Sequence, residues 1–149
     1  MRAVLQRVQW AKVRVDDEVV GQCGPGFLLL VAAHREDDEA RVRKLADRVA
    51  KIRLFNDAEG KMNLALSELP DSGQPQVLAV SNFTVYGDAM SGRRPSFTES
   101  APYDEGKRLF DLFVAELSGL GVRTETGVFG AMMEVESVND GPVTLVIDT

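Results

Sequence analysis

The chain has 149 residues, of which 44% are hydrophobic and 27% charged, so we expect one globular domain over residues 1–149. A formal net charge of −6 argues against a protein that coats nucleic acid through phosphate contacts, and we expect no DNA binding. One cysteine, one histidine and no long apolar run predict a cytoplasmic protein with no disulfide, metal, cofactor or membrane span.

The first third of the chain is predicted to form strands. Apolar residues alternate in AKVRVDD (11–17), and EVVGQC (18–23) precedes a Gly-Pro-Gly turn. FLLLVAA (27–33) is a continuous apolar run, which is typical of a strand buried on both faces. From Asp38 to about Ile52 the period becomes helical, and the residues predicted to form its buried face are Val42, Leu45, Ala46 and Val49.

The middle of the chain alternates between strands and loops. A short strand is predicted near residues 53–55, and a turn-rich loop follows it. The sequence of residues 64–74 does not distinguish helix, strand and loop. QVLAVSNFTVYG (76–87) predicts a buried strand that ends at polar residues, and residues 92–100 read as a loop.

A second helix is predicted to begin near Pro102 or Tyr103 and to end at the glycines 119 and 121. Its apolar stripe is predicted to consist of Leu109, Leu112, Phe113 and Leu117. VRTET (122–126), MMEVESV (132–138) and PVTLVID (142–148) then predict strands. Two helices inserted among many strands indicate an α+β fold, with a curled antiparallel or mixed sheet, barrel-like, and the helices on one side.

The pair Gly141-Pro142 at the start of the last strand has an ordinary explanation. Asp140-Gly141 is a hairpin signal, and proline is tolerated at the first residue of an edge strand. On base rates the peptide bond before Pro142 would be trans. The residues by themselves therefore indicate a plain turn at this position.

Three stretches place small or polar residues beside apolar strands, where functional sites often lie: residues 81–88, 92–97 and 139–144. The hydroxyls of Ser81 and Thr84 can equally satisfy backbone groups at a strand end, and Arg93 and Arg94 can equally be solvated loop residues. A catalytic triad is not expected, because no motif places a base beside either hydroxyl.

Taken together, six ordered segments closely resemble the D-aminoacyl-tRNA deacylase family. They are MRAVLQRV, EGKMN, SNFTVYGD, GRRPSF, ETGVFGAMM and NDGPVTLVID, and they span essentially the whole chain. The resemblance implies a compact α/β barrel-like domain that acts as a homodimer. It also implies hydrolysis of the ester bond of D-aminoacyl-tRNA, and of mischarged glycyl-tRNA, at the acceptor end of the tRNA.

The resemblance implies a catalytic segment made of Ser81, Asn82, Phe83 and Thr84. The family pattern is Ser-Gln-Phe-Thr, so Asn82 is one methylene shorter than expected. Backbone amides near Phe83 and Thr84 would stabilise the oxyanion, and the substrate's own ribose hydroxyl would help to activate water. Thr84 is expected to be a positioning residue, with a nucleophile as the alternative.

The resemblance further implies that Gly141 and Pro142 are joined by a cis bond and reach across the dimer interface, where their rigid backbone excludes an L side chain. Arg7 would bind carbonyl groups of this loop. Phe129, Ala131 and Met133 would line the pocket for the terminal adenosine, although they fit a core equally well, and Arg93 and Arg94 would approach tRNA phosphates. The alternative function is a non-catalytic domain that binds tRNA ends or a protein.

Overall fold

A computed structural model describes residues 1–149 and contains eight strands and two α-helices. The strands are β1 (Arg2–Val15), β2 (Glu18–Cys23), β3 (Gly26–Ala32), β4 (Phe55–Asn56), β5 (Met62–Leu64), β6 (Val77–Ser81), β7 (Thr124–Thr126) and β8 (Glu134–Asp148). The helices are α1 (Glu39–Lys51) and α2 (Tyr103–Gly119), and short 3₁₀ turns span Leu66–Glu68 and Phe83–Tyr86. The predicted α+β class with two main helices is confirmed.

Both helices begin where their sequence signals predict. The carboxylate of Asp38 caps α1 by accepting a hydrogen bond from the Arg41 amide at 2.9 Å. The predicted buried face of α1 is confirmed in full. In α2 the buried residues are Leu109, Phe110, Phe113 and Leu117. Phe110 was absent from the predicted stripe, and Leu112, which was included, is only partly buried.

The main sheet is mixed and nearly closes on itself. Its strand order is β2-β1-β3-β6-β7, with β8 on the other edge of β1; the pairs β3–β6 and β6–β7 are parallel, and the remaining pairs are antiparallel. The two ends of this path meet where β2 approaches β7. A Cβ added to Gly21 would lie 2.3 Å from the Thr126 carbonyl oxygen, so only glycine permits this approach. The result is the barrel-like sheet that the sequence predicts.

Two apolar clusters occupy the two faces of the sheet. The larger one packs α1 and α2 against β1, β3 and β6, and its most deeply buried large side chains include Phe27, Leu45, Leu109 and Phe113. The smaller one fills the inside of the curl and contains Val8, Ala11, Val13, Cys23, Leu28, Leu78 and Val80. Neither helix has the length and apolar composition that crossing a membrane requires.

The last two predicted strands are one strand. β8 runs from Glu134 to Asp148 and pairs with β1 on both sides of residues 140–143, so the hairpin turn predicted from Asp140-Gly141 is wrong. The pairing instead shifts register on both sides of Val8, and the chain continues without reversing. The peptide bond between Gly141 and Pro142 is cis.

The strand predicted over residues 76–87 is shorter than expected. β6 ends at Ser81, and Phe83–Tyr86 form a 3₁₀ turn instead of continuing the strand. The amide of Asn82 donates to the Val31 carbonyl at 2.8 Å, and the chain leaves the sheet after this bond. This departure places residues 81–84 at the edge where β3 and β6 both end.

Candidate active site

A cavity of about 620 Å³ opens at the carboxyl ends of β3 and β6. Because the two strands are parallel, both end at the same edge of the sheet, which is where ligand sites in such sheets commonly lie. The walls come from residues 30–33 and 80–83, from the segment Phe97 to Gly106, and from residues 129–133. Most of the lining side chains are apolar, so the cavity suits a flat or apolar group with a few polar contacts.

Three of the four residues in the expected catalytic segment line this cavity: Ser81, Asn82 and Phe83. The first hydrogen bond of the 3₁₀ turn runs from the Val85 amide to the Asn82 carbonyl at 3.2 Å. The amides of Phe83 and Thr84 precede that bond and therefore have no acceptor within the turn. These two amides can therefore donate to a group outside the turn, and Phe83, which carries the first of them, lines the cavity. Donors of this kind can stabilise a developing oxyanion.

Thr84 is not among the residues that line the cavity. Its hydroxyl donates a hydrogen bond to the side-chain oxygen of Asn82 at 2.5 Å. An amide oxygen is not a general base, so this contact does not activate the hydroxyl as a nucleophile. The contact instead holds the side chain of Asn82 in place.

Phe129, Ala131 and Met133 line the opposite wall of the cavity. Phe129 packs edge-on against Tyr103, with ring centroids 5.2 Å apart, and lies 5.9 Å from the ring of Phe110. These contacts fix an aromatic surface that a nucleobase can stack on.

Arg7, Gly141 and Pro142 do not line the cavity of their own chain. Arg7 is buried, and its guanidinium donates to the Leu54 carbonyl at 2.6 Å and to the Asp140 carbonyl at 3.3 Å, while its Nε lies 3.0 Å from the Asp140 carboxylate. Arg7 therefore anchors the start of the loop in which Gly141 and Pro142 are exposed.

A second anchor holds the same loop from the other side. The side-chain nitrogen Nδ2 of Asn139 donates to the Arg7 carbonyl at 2.8 Å and to the Val143 carbonyl at 3.0 Å. Gly141 has φ of +119°, and a Cβ there would lie 2.9 Å from Val143 and 3.1 Å from the Arg7 guanidinium, so the backbone requires glycine. The pair Gly141-Pro142 is thus presented to the outside on a loop held at both ends.

Arg93 and Arg94 are exposed in the loop between Asp88 and Ser96, and neither forms an ion pair within the chain. Phe97, the last residue of the predicted stretch 92–97, lines the cavity, and so do Ser100 and Tyr103, which were not predicted as site residues. The available signal was the small, polar run between Pro95 and Pro102, because such a segment between a strand end and a helix commonly borders a site.

Burial raises the pKa values of two side chains, Cys23 and Tyr86. Burial raises the pKa of the Cys23 thiol to about 11, so this thiol is protonated and unreactive at neutral pH. Burial, and then the negative charges of Asp37 and Asp148, raise the pKa of Tyr86 to about 12. No group of three or more His, Cys, Asp and Glu side chains lies close enough together to hold a metal ion.

Comparison with known proteins identifies the family. The family model described as D-Tyr-tRNA(Tyr) deacylase matches residues 4–148. The chain belongs to the D-Tyr-tRNA(Tyr) deacylase family. Among members of this family, the D-aminoacyl-tRNA deacylase of Symbiobacterium thermophilum is 51% identical and that of Thermotoga petrophila 48%, each over the whole chain; the chain covers 96% and 97% of their lengths. The resemblance drawn from the six sequence segments is confirmed.

Solved structures share the fold of this deacylase family member. The c-Myc DNA Unwinding Element Binding Protein superimposes with a TM-score of 0.90 at 29% identity, and the match covers 100% of this chain and 99% of that protein. A probable eukaryotic D-amino acid tRNA deacylase has a TM-score of 0.80 at 20% identity, with 99% and 98% covered. The second likeness supports the fold alone.

Proposed function

We propose that the chain hydrolyses the ester bond of D-aminoacyl-tRNA in the cavity beside Ser81–Phe83, and that Gly141 and Pro142 of a second copy complete that site. Deacylation of D-aminoacyl-tRNA is the activity of the family to which the chain belongs, and full-length relatives near 50% identity carry that name. Because its substrate takes part in protein synthesis, we expect the enzyme in the cytoplasm, where it also clears mischarged glycyl-tRNA.

The terminal adenosine of the tRNA stacks in the cavity against Phe129, with Ala131 and Met133 beside it. This places the ester carbonyl near the amides of Phe83 and Thr84, which donate to the oxygen as negative charge develops on it. The ribose hydroxyl of the substrate assists the attacking water, because the chain presents no base at this position. The side chain of Asn82, which the Thr84 hydroxyl holds in place, helps to position the ester group of the substrate.

Selection of the D enantiomer requires a wall near the substrate α-carbon, and the loop held by Arg7 and Asn139 fits this role. Backbone atoms cannot rotate away as side chains do, so a fixed loop rejects an L side chain whatever its identity. A D side chain points outward and is accepted, and glycine has no side chain to reject. Within one chain this loop does not reach the cavity, so the wall comes from a second copy.

The outer side of β8 supports a homodimer. Only β1 pairs with β8, and apolar side chains along these two strands are exposed: Trp10, Val138, Leu145 and Val146. We call these four residues the β8 surface. An edge strand with exposed apolar residues is normally covered in a stable protein, and the same strand carries the loop that the proposed site needs from its partner.

The direct test is release of labelled amino acid from D-Tyr-tRNA, L-Tyr-tRNA and Gly-tRNA. We expect release from the first and third and protection of the second. Equal cleavage of D- and L-Tyr-tRNA, or of neither, would remove the assignment. A filter that retains D-Tyr-tRNA while no tyrosine is released would instead support the non-catalytic tRNA-binding alternative.

Complementation tests whether two copies share each site. Asn82→Ala damages the cavity, and Gly141→Val damages the loop, because a side chain at this φ meets Val143 and Arg7. We expect each variant alone to be inactive and an equilibrated mixture to recover about a quarter of the activity, since half of the dimers are mixed and each has one intact site. Mass spectrometry can verify that the two variants have exchanged subunits. If such a mixture recovers no activity, the loop of one copy does not complete the cavity of the other.

Arg93 and Arg94 are proposed to contact phosphates near the acceptor end. Replacing both with alanine raises KM for the charged tRNA and lowers the salt dependence of KM, because each phosphate contact contributes to counterion release. The double variant Arg43→Ala with Arg48→Ala on α1 is the matched control, and an equal effect there would contradict a local contact.

A further inference from the structure

One wall of the cavity is a segment that pairs with the extension of β3. The Ala101 amide donates to the Ala33 carbonyl at 2.9 Å, and the Arg35 amide donates to the Glu99 carbonyl at 3.0 Å. His34 and Ser100 face each other in this short antiparallel bridge. Ser100 and Ala101 line the cavity, so whatever holds residues 99–101 also fixes that wall.

The side chain of His34 is held at both ring nitrogens. Its Nδ1 accepts a hydrogen bond from the Glu36 amide at 3.1 Å, and its Nε2 lies 2.9 Å from a carboxylate oxygen of Glu99. A nitrogen that accepts carries no proton, so the ring proton lies on Nε2 and is donated to Glu99. The ring also packs edge-on against Tyr86, the last residue of the 3₁₀ turn, at 5.2 Å.

Ser100 connects this pair to the catalytic segment. Its hydroxyl donates to the Phe83 carbonyl at 2.8 Å. The Phe83 carbonyl and the Thr84 amide belong to one planar peptide group, so the direction of the carbonyl determines the direction of the amide. A bond that orients this oxygen therefore also aims the Thr84 amide, which the proposed mechanism uses as an oxyanion donor.

We propose that His34 is a positioning residue for deacylation. Through Glu99 it holds residues 99–101 against the extension of β3, and through Ser100 it fixes the peptide plane that carries the Thr84 amide. The inference rests on the proposed function, but its structural part can be measured without activity. The consequence is that loss of His34 impairs the chemical step and leaves the binding of tRNA intact.

His34 is the only histidine of the chain, so a ¹⁵N spectrum is expected to show one pair of imidazole signals, one from Nδ1 and one from Nε2. We expect the Nε2–H form in the wild-type protein and a mixture of both tautomers in Glu99→Ala. A wild-type ring protonated on Nδ1, or an unchanged spectrum in Glu99→Ala, would overturn the proposed contact.

The second test compares His34→Ala with His34→Gln, because glutamine retains an N–H donor near the position of Nε2. In single-turnover assays with D-Tyr-tRNA we expect the rate to fall about tenfold in His34→Ala, with KM unchanged and most of the rate restored in His34→Gln. Glu99→Ala should resemble His34→Ala, and the double variant should show no further loss. Asp47→Ala, which breaks an exposed ion pair on α1, is the control and should behave as wild type.

A full rate in His34→Ala, a change in KM alone, or equal losses in the alanine and glutamine variants would overturn the inference. Backbone spectra separate this result from failure of the proposed function. We expect the Thr84 amide signal to move in His34→Ala and to return in His34→Gln, whether or not the wild-type protein releases D-tyrosine. Failure to release D-tyrosine counts only against the proposed function, and an unmoved Thr84 signal counts only against His34.

Discussion

The helix-covered face of the sheet and the outer side of β8 use similar apolar residues in opposite ways. Under α1 and α2, large side chains such as Leu45 and Phe113 have no exposed surface. Along β8, Leu145 is 38% exposed and Val146 is 62% exposed, although both lie in an apolar strand. The difference shows that an apolar strand sequence does not by itself reveal whether the strand is covered within its own chain.

The two regions also differ in what they hold in place. The covered face sets the positions of β3 and β6, whose ends form the cavity. The β8 side presents the loop of Gly141 and Pro142, which lies apart from the cavity of its own chain. Variants on the two sides should therefore separate folding from assembly, and the following predictions test that separation.

The largest effect is expected on the covered face. Phe113→Ala should lower the free energy of unfolding by about 3–5 kcal/mol, because it leaves a cavity under the helices. Urea denaturation followed by circular dichroism measures this. Val146→Ala is the contrasting variant, and at protein concentrations too low for association it should change stability by less than about 0.5 kcal/mol. Similar losses of unfolding free energy in the two variants would contradict the assignment of Val146 to an uncovered surface.

Alkaline pH tests the burial of Cys23 in the smaller apolar cluster. Burial raises the pKa of the Cys23 thiol in the folded protein to about 11. The buried thiol therefore contributes fully to stability below the pKa that it has in the unfolded chain, and this contribution is lost as the pH rises toward 11. From an unfolded pKa of about 8.5, wild type should lose about 3 kcal/mol across this range relative to Cys23→Ala. Urea midpoints at several pH values measure the difference, and parallel curves for the two proteins would contradict a buried thiol.

Assembly should respond to a charge on the β8 surface. Val138→Asp should weaken self-association by at least about 2 kcal/mol, since an unpaired carboxylate would be buried at the interface. Sedimentation measurements give the association constant. Val19→Asp, which alters an exposed valine on β2, should leave that constant unchanged. Unaltered association in Val138→Asp would move the interface away from β8.

The smallest effect is expected at Thr84, which lies next to the cavity-lining residues Asn82 and Phe83 in the chain. Thr84→Ala should lower the single-turnover rate about fivefold, because the hydrogen bond to Asn82 contributes about 1 kcal/mol. Its urea midpoint should match that of wild type. Complete loss of activity with unaltered tRNA binding would instead support Thr84 as the nucleophile.

The elements with strong local signals were predictable from the sequence. A capping signal at Asp37 or Asp38 and the apolar period predict the start and the face of α1, and β3 is long, apolar and preceded by turn residues. The 3₁₀ turn at Phe83–Tyr86 was not predictable, because Phe, Val and Tyr favour strands in isolation. Their exit from the sheet depends on tertiary contacts, such as that of Ser100 with the Phe83 carbonyl.

Some of the residues that line the cavity were predictable for the same reason. Ser81, Asn82 and Phe83 follow an apolar strand, and their position at its end is readable. The contribution of Ser100 and Tyr103 is not, because it depends on how residues 97–103 fold back beside β3. The continuation of β8 through Asp140-Gly141 was also not predictable from the sequence, because pairing with β1 on both sides of this position overrides the local turn signal.

The pairing of β1 with β8 joins the two most distant parts of the chain, since Arg2 lies beside Asp148, 146 positions away. Contacts of such long range form late in folding. During folding, one edge of β1 therefore stays unpaired until β8 docks against it. An unpaired edge can pair with other chains, so the docking of β8 also protects β1 from aggregation.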